Sequence, residues 1–162
     1  MISIETVDLT SKSQVNAFVQ FQYDLYIGVK QFCPPFFGDI KLMLNKEKHP
    51  FYEHSEGNFW VAKQNGRIVG RLGAFVNNPF NEYHRVKKAQ FYLFDCVDDQ
   101  EVANKLFEQA FNWCKQRNLE EIVGPKGLSA FDGYGILYEG QEHRQMMTMM
   151  NYNFAYYSTL LE

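Results

Sequence analysis

The stretch from Gln90 to Pro125 constrains the fold of this chain most tightly, because it reads as strand, helix and strand in direct succession. Ala89–Val97 alternates, with Phe91, Leu93, Asp95 and Val97 on one face and Tyr92, Phe94 and Cys96 on the other. Both faces are rich in apolar side chains, and such a strand is expected to be central, with helices covering the sheet on both sides. After it, Val102, Ala103, Leu106, Phe107, Ala110, Phe111 and Cys114 fall on one stripe of a helix, opposite a polar face that includes Asn104, Lys105, Glu108 and Asn112. Asp98 and Glu101 predict a capping box at its start, and Arg117 complements the dipole at its end. Glu121–Val123 then forms a short strand that Gly124-Pro125 stops. If the two strands share a sheet in parallel, the crossover between them is right-handed.

Upstream, Ile2, Ile4 and Val7 suggest a first strand, broken at Asp8-Leu9-Thr10. Val15, Phe18, Val19, Gln22, Leu25 and Tyr26 recur at helical spacing, with Ser11 or Ser13 as the cap. Cys33-Pro34-Pro35 ends that helix, since consecutive prolines forbid its continuation. A shorter helix fits Asp39–Lys46. Asn58–Lys63 and Arg67–Val76 read as a hairpin whose Asn65-Gly66 turn favours type I′. This antiparallel hairpin makes the sheet mixed. Asn77–Lys88 is polar and reads as a loop of about a dozen residues. A Gly- and Met-rich segment follows Pro125, and Tyr152–Glu162 reads as the opening turns of a last helix.

The 162 residues suit one domain with its own core. The formal net charge is −3 and no basic stripe is present, which argues against a nucleic-acid partner. The three cysteines, Cys33, Cys96 and Cys114, are odd in number and lack CxxC spacing, which points to a reducing compartment. Met1–Thr10 does not read as a cleavable signal, and no apolar run approaches the ~18 residues of a membrane span. No membrane partner is expected, and a cytoplasmic location is the default.

His49 and His54 flank a proline-containing run at a spacing no helical ligand pair uses, so no metal site is expected. Cys96 and Cys114 lie on apolar faces, where a thiol behaves as a small hydrophobe. Met146, Met147, Met149 and Met150 admit two readings, an adaptable apolar channel or ordinary core. Arg85, Lys87 and Lys88 read as a solvated basic loop rather than a phosphate site.

The element order is β-α-α-β-β-β-α-β-α. With it come Pro34-Pro35, the run His49–His54, Val69-Gly70-Arg71, Asn81–His84, Phe94-Asp95-Cys96, Asp98–Ala103 and Gly124-Pro125. Leu128-Ser129, Gly135-Ile136-Leu137, Tyr152-Asn153 and Tyr156-Tyr157 complete the set. In that order and spacing the chain resembles the GNAT superfamily of acyl-CoA-dependent N-acyltransferases, and within it a bacterial GNAT-like subgroup of poorly defined function. The resemblance implies an α/β fold of the α+β type, a central mixed sheet with helices on both faces. It implies transfer of an acyl group from acetyl-CoA or another acyl-CoA to a small-molecule or peptide amine. The backbone of Phe94, Asp95 and Cys96 takes the pantetheine arm by this resemblance. Gln100, Val102 and Ala103 stand at the helix N-terminus that holds the pyrophosphate. Tyr157 and Tyr156 are the general-acid candidates, and Asp132 is the candidate contact to the acceptor.

Three departures from the family pattern carry weight: the loop before the long helix, the tyrosine position and the end of the sheet. Asp98 stands where the family has a basic or amide residue, and Glu101 where it has a glycine. A carboxylate there competes with phosphate for the helix amides. A plain helix cap and a phosphate cradle are therefore both open, and a catalytically inactive GNAT-shaped binding or scaffold module is the rival to an enzyme. Leu161 stands where the family's helical tyrosine is expected, with Tyr157 one turn earlier. A GNAT domain also adds two strands after the last helix, whereas this sequence ends inside it. Residues 1–162 are accordingly expected to be a single GNAT-like acyltransferase domain incomplete at its C-terminus. A further C-terminal segment or a partner chain would complete the sheet, and an open edge would favour a homo-oligomer.

Overall fold

A computed structural model describes residues 1–148 and 150–162. Strand β1 (Ile2–Thr6) leads to helix α1 (Lys12–Leu25), whose N-cap is Ser11; its hydroxyl accepts from the Gln14 amide at 3.4 Å. The helix stops at Leu25, well before the prolines, and Gly28 takes a φ of 80° in the turn beyond it. Helix α2 (Phe37–Met43) begins and ends earlier than its expected Asp39–Lys46 bounds. A 3-10 turn at Pro50–Glu53 leads into the hairpin β2 (Glu56–Gln64) and β3 (Arg67–Val76). Asn65 and Gly66 have φ values of 51° and 77°, the doubly positive geometry of a type I′ turn.

Asn77–Lys88 is not a plain loop. Helix α3 (Asn78–His84) occupies most of it, with the Asn77 side chain accepting from the Phe80 amide at 3.0 Å and Pro79 in the first turn. No residue of α3 is buried, so apolar periodicity could not reveal it; the Asn cap and the early proline were the available signals. Strand β4 (Lys88–Cys96), helix α4 (Gln100–Lys115) and strand β5 (Glu121–Val123) form the expected strand–helix–strand unit, and the short helix α5 (Tyr157–Leu161) follows. The five strands run in the order β1-β2-β3-β4-β5, antiparallel except for the parallel β4–β5 pair.

Apolar layers cover both faces of the sheet. On one, Trp60, Leu72, Phe94 and Cys96 pack against Val102, Leu106 and Ala110 of α4 and Tyr157 and Leu160 of α5. On the other, Phe59, Phe75 and Leu93 pack against Phe18 and Val19 of α1 and Ile40 and Leu44 around α2. Phe111 departs from the expected stripe and is 45% exposed, whereas Trp113 is buried. Gly70 lets α4 approach β3 closely, since a Cβ there would lie 2.8 Å from a Leu106 methyl.

Strand β4 does not keep the simple alternation read from its sequence. Leu93 has a φ of 55°, and the pairing with β3 slips between Arg71 and Gly73. This β-bulge advances the strand by one residue, so side chains beyond it change sides. Phe91, Phe94 and Cys96 consequently share the α4 face, while Tyr92 and Leu93 join the α1 face.

Candidate functional site

The site lies along the edge of β4 that faces away from β3. Strand β5 pairs with that edge only from Lys88↔Glu121 to Gln90↔Val123, and a last bond runs from the Lys126 amide to the Phe91 carbonyl at 2.8 Å. Gly124-Pro125 then carries the chain off the sheet. Beyond that point β4 and the departing segment enclose a cavity of ≈ 130 Å³, lined in part by Tyr92–Asp95, Pro125, Gln22 and Tyr157.

Beneath it lies a buried polar network. Arg71 on β3 and Asp95 on β4 are cross-strand partners, joined by Nε to Oδ2 at 2.9 Å and Nη2 to Oδ2 at 2.7 Å. Arg71 also donates to the Phe18 carbonyl at 3.0 Å and lies over the Phe18 ring, with Cζ 5.1 Å from its centre. Burial raises the Asp95 carboxyl above its ordinary pKa, and the Arg71 charge opposes the shift. The other oxygen, Oδ1, accepts from the Tyr157 hydroxyl at 3.2 Å.

That hydroxyl is fully engaged. It donates to Asp95 and accepts from the Cys96 amide at 3.1 Å and from the Tyr26 hydroxyl at 3.3 Å. A phenol offers one proton and two lone pairs, so nothing is left over. Burial, with the nearby Asp95 charge, pushes the Tyr157 pKa well above the ordinary 10.0. Tyr156 is half-buried and donates to the Cys96 carbonyl at 2.8 Å. Consecutive tyrosines of one short segment thus take both backbone groups of Cys96.

The start of α4 sits beside them. Its cap is Asp99, not the expected Asp98: the Asp99 Oδ1 accepts from the Glu101 amide at 2.9 Å and the Val102 amide at 3.4 Å. Asp99 has the extended backbone of an N-cap (φ −152°, ψ 108°) that lets its side chain fold back over the first turn. The Ala103 amide bonds the Asp99 carbonyl at 3.2 Å. Val102 and Ala103 have fully buried side chains, and Gln100 reaches the Leu160 carbonyl of α5 at 3.2 Å.

Phe94, Asp95, Cys96, Gln100, Tyr156 and Tyr157 are thereby brought together, while Asp132 stands apart. Its carboxylate accepts from the Ser129 amide at 2.7 Å within its own loop. Sequence reasoning missed Arg71 as the partner of Asp95 and Tyr26 as the donor to Tyr157; the buried charge on β3 was the available signal for the first. His49 caps the 3-10 turn, its Nδ1 accepting from the Phe51 amide at 3.3 Å. Among the described residues no group of three or more His, Cys, Asp or Glu could hold a metal ion, and no helix is long and apolar enough to cross a membrane. Lys87 and Lys88 pair with Glu120 and Glu121 at 2.7 and 3.0 Å. Met146, Met147 and Met150 are exposed rather than core, and Met149 lies outside the described residues.

A mixed sheet with a bulged fourth strand that parts from a parallel fifth, under helices on both faces, defines the acyl-CoA N-acyltransferase fold, and this chain has the GNAT fold. A tandem GNAT protein from the clavulanic acid biosynthesis pathway superposes with a TM-score of 0.55 at 12% identity, over 72% of this chain and 34% of that one. An aminoglycoside acetyltransferase from an uncultured soil metagenomic sample gives 0.54 at 18% identity, over 75% of each chain. A predicted acetyltransferase of Clostridium acetobutylicum, solved with acetyl-CoA, gives 0.51 at 14% identity, over 76% of this chain and 79% of that one. In sequence, protein YghO of Escherichia coli is 32% identical over 130 residues, covering 80% of this chain and 33% of that protein. A bacterial ceramide synthase of Caulobacter vibrioides is 26% identical over 148 residues, covering 90% and 38%. The chain therefore spans about a third of the length of the curated relatives it matches. No protein-family model matches it.

Proposed function

We propose that residues 1–162 form an N-acyltransferase domain that moves an acyl group from acetyl-CoA or another acyl-CoA to an amine. The observation that carries this reading is the parting of β4 from β5 after Gln90↔Val123, beside the Leu93 bulge. An open strand edge offers N–H and C=O groups to an extended, amide-bearing ligand, and the pantetheine arm is such a ligand. In this reading the backbone groups of the Phe94–Cys96 segment that face away from β3 receive that arm. The amine nitrogen attacks the thioester carbon, the C–N bond forms and the C–S bond breaks. Backbone amides polarise the carbonyl. The amine gives up a proton to a base or water chain, and the leaving thiolate takes one from a general acid.

Of the two tyrosines, Tyr156 suits the acid role better, because its hydroxyl makes a single bond, donated to the Cys96 carbonyl. Tyr157 has no free hydrogen-bonding capacity and is assigned to holding the site together. Asp132 remains the candidate acceptor contact from the loop after β5. The likeness to acetyltransferases of the same fold supports acyl transfer, as does the sequence similarity to a bacterial ceramide synthase, a ceramide being an N-acylated amino alcohol.

A second reading, a GNAT-shaped binding or scaffold module without turnover, is favoured by one observation. The Asp99 carboxylate already occupies the Glu101 and Val102 amides, which a pyrophosphate would use. Titration calorimetry with acetyl-CoA and longer acyl-CoAs separates the two. The transferase reading expects saturable heat and thiol release once an amine is supplied. No heat and no thermal shift at millimolar donor sinks it.

A further inference from the structure

The two hydrogen bonds at Cys96 have a directional meaning. The Val97 amide bonds the Val69 carbonyl of β3 at 3.0 Å, so the preceding Cys96 carbonyl points the opposite way, off the sheet edge. In an extended strand the amide and carbonyl of one residue point to the same side. Cys96 therefore presents a donor and an acceptor together on the edge that β5 has left. This pair of groups is what the next strand, or a ligand carrying amides, would use. Tyr157 and Tyr156 already fill it from the start of α5, at 3.1 and 2.8 Å.

We infer that Tyr156 and Tyr157 stand in for the amide groups of the acyl donor, so that donor and tyrosines compete for Cys96. The inference rests on the acyltransferase reading above. The two tyrosines are not equally held. Tyr157 is buried, has three hydrogen-bond partners, and packs on Phe94 with ring centres 5.4 Å apart. Tyr156 is half-buried, and its hydroxyl holds the site through one bond to the Cys96 carbonyl. Tyr156 is thus the member that yields. A donor N–H takes the Cys96 carbonyl, and the freed phenol swings toward the groove, where the same hydroxyl can serve the leaving sulfur. The closed clamp and the proposed general acid are one residue in two positions.

The clamp is also tied to the helix beside it. The Gln100 side chain donates to the Leu160 carbonyl at 3.2 Å, and Phe154 stacks on Tyr26 with centres 4.7 Å apart. These contacts keep the α5 segment docked while one phenol moves.

The test is calorimetric titration of acetyl-CoA into the wild type and Tyr156→Phe, which keeps the ring and removes the competing hydroxyl. The expected result is tighter binding by the variant, about fivefold, the equivalent of one net hydrogen bond. Unchanged or weaker binding, with a wild type that does bind, overturns the inference and leaves the transferase reading standing. No binding by either protein overturns both. As a second readout, wild type carrying a ¹³Cζ-tyrosine label is titrated with acetyl-CoA, with Tyr156→Phe identifying the signal. A shifted Tyr156 resonance supports displacement, and an unmoved one at saturating donor rules it out.

Discussion

Arg71 and Asp95 face one another across the β3–β4 ladder and close a salt bridge of 2.7 Å with side-chain exposures of 0% and 5%. A guanidinium and a carboxylate removed from water are costly singly and tolerable together. Removing one partner, by Asp95→Asn or Arg71→Met, is expected to lower stability by about 3–5 kcal/mol in urea unfolding. The double variant Arg71→Met/Asp95→Leu should recover much of that loss. A double variant no more stable than the singles would show that the pair is not what holds this region.

The cap of α4 gives a sharper local test. Asp99→Ala should cost about 1 kcal/mol, because two helix amides lose their acceptor. Asp98→Ala should stay within about 0.5 kcal/mol of wild type, as expected for a side chain outside the cap. Equal losses at both positions would restore the Asp98 capping box.

Thiol chemistry should separate the cysteines. Burial pushes the Cys96 thiol up to about 12 and the Cys114 thiol up to about 11, while Cys33 is partly exposed. A thiol-reactive disulfide at neutral pH is expected to label one cysteine in the native protein and all three after denaturation. Mass spectrometry of the peptides assigns the native label to Cys33. Native labelling of Cys96 would mean that the β4 edge opens readily.

Alkaline pH should weaken the fold. Burial raises the pKa of Tyr26 and Tyr157 above the ordinary 10.0, so the folded state prefers their neutral phenols. Their contribution is complete below pH 10.0 and is lost as pH rises above it, because the unfolded chain ionises first. Thermal unfolding between pH 9 and about 12 should show Tm falling, and Tyr157→Phe should make that fall shallower. A Tm independent of pH over this range would contradict the buried hydroxyl network.

Much of the architecture was legible along the chain. Asn65-Gly66 names its turn because few residues accept two successive positive φ values. The α4 stripe of Val102, Ala103, Leu106, Ala110 and Cys114 names its buried face because a helix repeats every few residues. Helix α3 leaves no apolar periodicity in the sequence because it buries nothing, and Phe111 shares the helical spacing of the stripe yet sits at its exposed rim.

Local pattern, then, was enough to set the order of the strands and of the helices that bury a face, the hairpin turn and the two-sided core. The site was decided elsewhere. The bulge at Leu93 arises from how β4 meets β3, and it moves every later side chain to the opposite face. That slip aims Asp95 at Arg71. Tyr157 reaches Cys96 from 61 residues away, a contact no window of sequence contains. Periodicity reports the geometry of one segment; hydrogen bonds between segments depend on register and docking, which exist only once the sheet and its helices are assembled.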